Sequence, residues 1–229
     1  MNLTTLQNLK SWLSTTSTTD DALMSRLITQ ISGMIYAYLQ RSSLIQQNCV
    51  DYRNGNGNRR MLLENWPVLS VSAVQVGAFS VPAAPTEGEN LLQWGWFLNP
   101  WSGQPPGRAQ AVDLRGYTYQ CGLGNVAVSY IAGYVQQNEP QTIPSSPFQV
   151  TPNQPYGSWA ADSGVTYAET GIPLTAVKSS PAQGQYVAPV YGTTNTYTFN
   201  AADANQEVLI SYSYIPAPIE QACIELCSV

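Results

Sequence analysis

Residues 50 to 76, VDYRNGNGNRRMLLENWPVLSVSAVQV, decide the fold class of this chain. Asn54 to Asn58 alternates Asn and Gly, residues that accept positive φ at little steric cost, so the spacing predicts a reversal pairing Val50 to Arg53 with Arg60 to Leu63. Pro67 lacks an amide donor and suits the first residue of a further strand. From Val68 to Val76 the chain alternates Val68, Ser70, Ser72, Val74 and Val76 with Leu69, Val71, Ala73 and Gln75, the period of a sheet with one committed face.

The chain has 229 residues, 44% of them apolar, enough for a sizeable core in one generous domain or two modest ones. Charged residues are only 10%, while Pro, Gly, Ser, Thr, Asn and Gln are abundant, the profile of a β-rich protein with a neutral polar surface. No apolar stretch reaches the length of a membrane span, and the N-terminus lacks the basic-then-apolar layout of a secretory leader. A cytosol-like compartment is therefore expected. Four cysteines without paired zinc spacing, and no histidine, read as reduced thiols, with Cys223 and Cys227 on one buried helical face. No metal or cofactor is implied.

Charge is unevenly spread. Residues 1 to 115 hold eight of the nine basic groups against seven acids, whereas residues 116 to 229 hold only Lys178 against seven acids. The acidic second half is a poor candidate for contact with nucleic acid.

Leu6, Leu9, Trp12 and Leu13 fall on one helical face, with Thr4 and Gln7 spaced as a capping box. A second helix opens at Thr18 to Asp21 and carries Leu23, Leu27, Ile28, Ile31, Met34, Ile35, Tyr38 and Leu39. That stripe is too wide for water and is expected to pack on the central sheet. Trp94, Trp96, Phe97 and Trp101 cluster in a Pro- and Gly-rich excursion, either an exposed contact surface or a small satellite core. Gly122-Leu-Gly124-Asn-Val-Ala127 mimics a dinucleotide fingerprint, but a strand follows it, which excludes that reading. Residues 136 to 163 read as a Pro- and Gln-rich linker, followed by short strands to Tyr214 and a helix led by Pro218.

The order of parts, Leu3-Thr-Thr-Leu-Gln-Asn-Leu-Lys-Ser-Trp-Leu, Thr19-Asp-Asp-Ala-Leu, Asp51-Tyr to Asn58-Arg-Arg-Met-Leu-Leu-Glu-Asn-Trp-Pro-Val with Ser70-Val-Ser-Ala-Val, Ser129-Tyr-Ile-Ala-Gly-Tyr and Pro218-Ile-Glu-Gln-Ala, resembles the head-to-tail connector (adaptor) family of tailed bacteriophages. The match covers roughly 1 to 134 and 216 to 229. In that family the last helix follows the Ala-Gly-Tyr strand directly, whereas here about eighty residues intervene. Val165 to Val177 and Tyr197 to Asp203 within them look like a small β module of phage structural proteins.

The expected fold is α+β, with N-terminal helices on an antiparallel sheet, an inserted small all-β sandwich or barrel-like domain and a C-terminal helix. The expected domains are 1–135, a connector body; 136–214, the inserted β domain with its linker; and 215–229, a helix returning to the body. The resemblance implies a virion protein, assembled in the host cytoplasm, whose copies form a ring, a dodecamer by that resemblance, under the portal protein. The ring would meet tail or neck proteins and surround the DNA passage, with no membrane partner.

Arg53, Arg59 and Arg60 on a projecting turn, and Trp94, Trp96 and Trp101, are the expected contacts with a partner or with genomic DNA. A solvated turn is the simpler alternative for the arginines. The alternative function is a β-rich carbohydrate- or receptor-binding virion protein stacking ligands on Trp94, Trp96, Trp101 and Trp159. No motif nominates a nucleophile or base, so no enzyme is expected.

Overall fold

The computed structural model describes residues 1–85, 92–99 and 110–228. The protein is α+β, with three helices among the described residues and mostly antiparallel sheets. Two compact units divide the chain, Gln46–Tyr134 and Met1–Ile45 with Val135–Val229. Helix α1 (Leu6–Trp12) is capped by Thr5, whose hydroxyl accepts the Asn8 amide at 3.1 Å, one residue beyond the expected capping Thr4. Helix α2 (Asp21–Tyr38) follows.

Within Gln46–Tyr134 the strands are β1 (Gln47–Gly55), β2 (Arg60–Leu62), β3 (Val68–Val76), β4 (Phe79–Val81), β5 (Gly95–Leu98), β6 (Ala111–Arg115) and β7 (Gly122–Ala132). They form two sheets, β1-β7-β3-β4 and β2-β6-β5. The sheets share one core, in which Val74, Val112, Val126 and Val128 are wholly buried beside Met61 and Leu63. The period-2 pattern of β3 and β7 supplies this inner face. A bridge between Ala83 and Trp96, with the Trp96 amide bonded to the Pro82 carbonyl at 2.8 Å, joins the two sheets on one side.

The predicted hairpin does not form. β1 pairs with β7 over Gln47 to Gly55, and β2 pairs with β6, so the two arms diverge into different sheets. The cause lies in the turn. Its polar groups bond to residues 119–125: the Gly57 amide donates to the Tyr119 carbonyl at 2.7 Å, the Gly55 amide to Asn125 Oδ1 at 2.8 Å, and the Gly124 amide to Asn54 Oδ1 at 2.6 Å. The turn is anchored and does not project. Gly55 is required there, because a Cβ would meet the Gln120 carbonyl oxygen at 1.7 Å.

The rest of the other unit contains β8 (Val135–Thr142), β9 (Gln149–Val150), β10 (Gly157–Tyr167), β11 (Thr175–Val177), β12 (Gln185–Val187), β13 (Tyr197–Phe199), β14 (Glu207–Pro216) and α3 (Ala217–Cys227). Its sheets run β10-β14-β8 and β11-β12-β13-β9. The expected linker at 136–163 is therefore largely strand. Pro140 is tolerated because β8 is an edge strand, where a missing amide donor leaves no ladder bond unmade.

Carboxylates in this unit are met by tyrosine hydroxyls. Tyr212 donates to buried Glu139 at 2.7 Å, Tyr167 to buried Asp203 at 2.7 Å, and Tyr186 and Tyr197 to Asp162 at 2.7 and 3.0 Å. A buried charge is tolerable only when so bonded.

Helix α2 packs on α3 and α1. This corrects the expectation that it lies on the 50–76 sheet. α3 buries Glu220, Cys223, Ile224 and Cys227. Glu220 Oε1 accepts from Thr4 Oγ1 at 3.1 Å and from Asn8 Nδ2 at 2.7 Å, and Oε2 accepts from Ser158 Oγ, so one carboxylate ties α3 to the α1 segment and to β10.

Candidate functional site

The divergence of β1 and β2 leaves an open concavity of about 1150 Å³ between their arms. β1 contributes Tyr52, Arg53 and Asn54; β2 and the residue before it contribute Arg59, Arg60 and Leu62; Phe97, Asp113 and Arg115 come from β5 and β6. The three arginines singled out in the sequence therefore line one surface.

Their states differ. Arg60 makes two parallel bonds to Asp113, Nε to Oδ1 and a terminal nitrogen to Oδ2, each 2.7 Å. Arg53 reaches Glu64 at 3.0 Å and Asp51 at 3.9 Å, but its buried Nε–H has no acceptor among the described residues. Arg115 donates to the Pro85 carbonyl at 3.3 Å and lies 4.9 Å over the Phe97 ring. Arg59 is exposed and makes no ion pair among the described residues.

One buried pair closes the far end of the opened arms. Asp51 Oδ1 accepts from Tyr130 Oη at 2.8 Å and Oδ2 from the Glu64 amide at 2.8 Å, fixing the chain after β2 beside β1. Burial is the main cause that raises the Tyr130 hydroxyl above its ordinary range, and the neighbouring Asp51 acts in the same direction. Sequence reading missed this pair. Asp51 sits in a strand of alternating pattern, and nothing local marks its partner 79 positions away.

No described tryptophan lines the site. Trp94 is 63% exposed and packs edge-on to Tyr117 at 6.1 Å, lying so close over Gly116 that a Cβ there would meet its ring at 2.4 Å. Trp96 is half-buried against the core. Trp101 lies outside the described residues. Trp159 is 3% exposed and donates its indole N–H to Tyr197 Oη at 3.0 Å, so it is no surface platform.

A second surface stands out on α2. Ile28 and Ser32 are buried, while Leu23, Met34 and Tyr38 are 57%, 63% and 87% exposed. At 3.6 residues per turn Leu23, Leu27, Ile31, Met34 and Tyr38 form a stripe on the side away from Ser32. Among the described residues no three His, Cys, Asp or Glu groups converge as a metal cradle, and no helix is long and apolar enough to cross a membrane.

Compared with family models, curated proteins and solved structures, the chain matches none.

Proposed function

We propose that this chain is the head-to-tail connector, or adaptor, subunit of a tailed phage. Its copies form a ring, a dodecamer by the family resemblance, beneath the portal protein, join head to tail or neck proteins, and surround the passage for DNA. Its place is the neck of the virion after assembly in the host cytoplasm. The strands between 136 and 214 are an inserted module ahead of α3. The role is structural, not enzymatic, and uses no cofactor.

The observation that carries this reading is the apolar stripe of α2. Leu23, Met34 and Tyr38 stand open to water along it with Leu27 and Ile31 half-buried between them, and a chain that stays monomeric seldom leaves such side chains on one helical face exposed, because their burial is worth about 25 cal/mol per Å². A neighbouring copy in a closed ring covers such a stripe. The stacking alternative loses Trp159, which is interior.

The test is the mass of the particle formed by the purified chain. A closed ring gives a multiple of the 24.9 kDa chain mass near twelve, and Met34→Lys returns it to the monomer. A monomer at every concentration, with and without portal protein, contradicts the proposal.

A further inference from the structure

The arms β1 and β2 carry the sequence of a hairpin but stand apart, and what lies between them is a surface with unmet bonding capacity. On β2, the Arg59 carbonyl accepts from Leu114 and the Leu63 amide donates to Gln110, so odd-numbered residues face β6. By the alternation of an antiparallel ladder, the backbone groups of Arg60 and Leu62 turn to the other edge. Neither β1 nor β2 has a strand on that outer side among the described residues. An unpaired edge is a template for strand addition.

Side chains specify what is added. Among the described residues Arg59 makes no ion pair, and Tyr52 and Leu62 are exposed beside it. The space, about 1150 Å³, exceeds the roughly 300–1,000 Å³ of small-molecule sites. Nucleic acid is a poor fit. Arg60 is already neutralised by Asp113 and Arg53 by Glu64, while Arg115 is engaged by a carbonyl and the Phe97 ring. Phosphate-backbone affinity requires several uncompensated cations, and among the described lining residues only Arg59 and Arg115 have no carboxylate partner, Arg115 being held by a carbonyl and a ring.

We propose that the opened β1–β2 arms are a docking site for an extended acidic segment of a partner protein. The segment pairs its main chain with the outer edge of β2, sets a carboxylate on Arg59, and lays an apolar residue against Tyr52 and Leu62. The site belongs to the single chain, so it stands or falls separately from the ring.

The probe is a short acetylated peptide of alternating Val and Glu, added to the isotope-labelled full chain carrying Met34→Lys so that ring formation does not interfere. The peptide is expected to bind, to shift the Arg60 and Leu62 amide resonances, and to slow their hydrogen exchange. N-methylation of alternate peptide residues, which removes main-chain donors and leaves the protein unchanged, is expected to weaken binding about tenfold or more, as is Arg59→Glu. Equal binding of a Val–Lys peptide, indifference to N-methylation, or no binding overturns the proposal. So does a DNA oligonucleotide that shifts the same amides at lower concentration than the peptide.

Discussion

Tyr130 donates its hydroxyl hydrogen to Asp51 across adjacent strands at 2.8 Å, and the same two groups hold the chain that leaves β2, through the Glu64 amide on Asp51 and the Asn65 amide on Tyr130 at 3.0 Å. Glu64, placed in this way, pairs with Arg53. The geometry of the arginine-lined concavity thus rests on one buried carboxylate and one phenol.

Tyr130→Phe is expected to destabilise the chain by about 1.5–3 kcal/mol, because it removes a donor from a buried charged acceptor. Denaturant unfolding measures this. A variant as stable as the parent shows that Asp51 is satisfied without Tyr130.

Gly55→Ala is expected to cost at least as much as a typical overpacking substitution, about 1–3 kcal/mol, since the new methyl falls on the Gln120 carbonyl. The resonances of residues 119–125 are expected to move with it. Unchanged stability shows that the turn relaxes freely.

The two faces of α2 are expected to separate in mutagenesis. Ile28→Asp places an unpaired carboxylate in the interior and is expected to unfold the helical unit, a cost of several kcal/mol against a total of about 5–15. Met34→Lys alters an exposed position and is expected to leave the melting temperature nearly unchanged while blocking association. If both variants melt alike, the helix is turned otherwise.

Alkali is expected to unfold the protein through its tyrosines. Burial, with the bond to Asp203, pushes Tyr167 from 10.0 to about 12, and burial raises Tyr186 and Tyr212 also. The unfolded chain releases these protons first. The stability they supply is therefore complete below about pH 10, falls as pH rises from there, and is gone once pH passes the folded value. Tyrosinate absorbance and loss of structure are expected to rise together above pH 10. Full ionisation with the fold intact contradicts the buried tyrosine–carboxylate bonds.

Much of the secondary structure was legible because local pattern decided it: the alternation at 68–76, the helical spacing at 21–38, and the short strands after 165 all reappear. Partner choice was not legible. Asn-Gly repeats between apolar runs read as a hairpin, yet β7 offers β1 a long partner from Gln47 to Gly55, and Asn125 and Tyr119 satisfy the turn from a distance. The same blindness sent α2 to the wrong surface. Its stripe records that apolar residues exist, not that Ile28 and Ser32 alone are buried. Arg53, Arg59 and Arg60 were found by charge and position, whereas the concavity uniting them arises from a pairing that does not happen.

Arg53, Arg59 and Arg60 changed together to Gln are expected to leave the fold intact, since exposed ion pairs contribute little. On the proposed connector reading, joining of heads to tails is expected to fail, and binding of the neighbouring protein to weaken and depend less on salt. Normal joining at all salt concentrations returns these residues to the role of a solvated turn.

Self-association through α2 is the central consequence of the proposed ring, and native mass spectrometry of the purified chain measures it directly. A closed ring of about twelve chains that Met34→Lys disperses to 24.9 kDa monomers is the predicted result. A parent chain that remains monomeric at every concentration, alone and with portal protein, contradicts it.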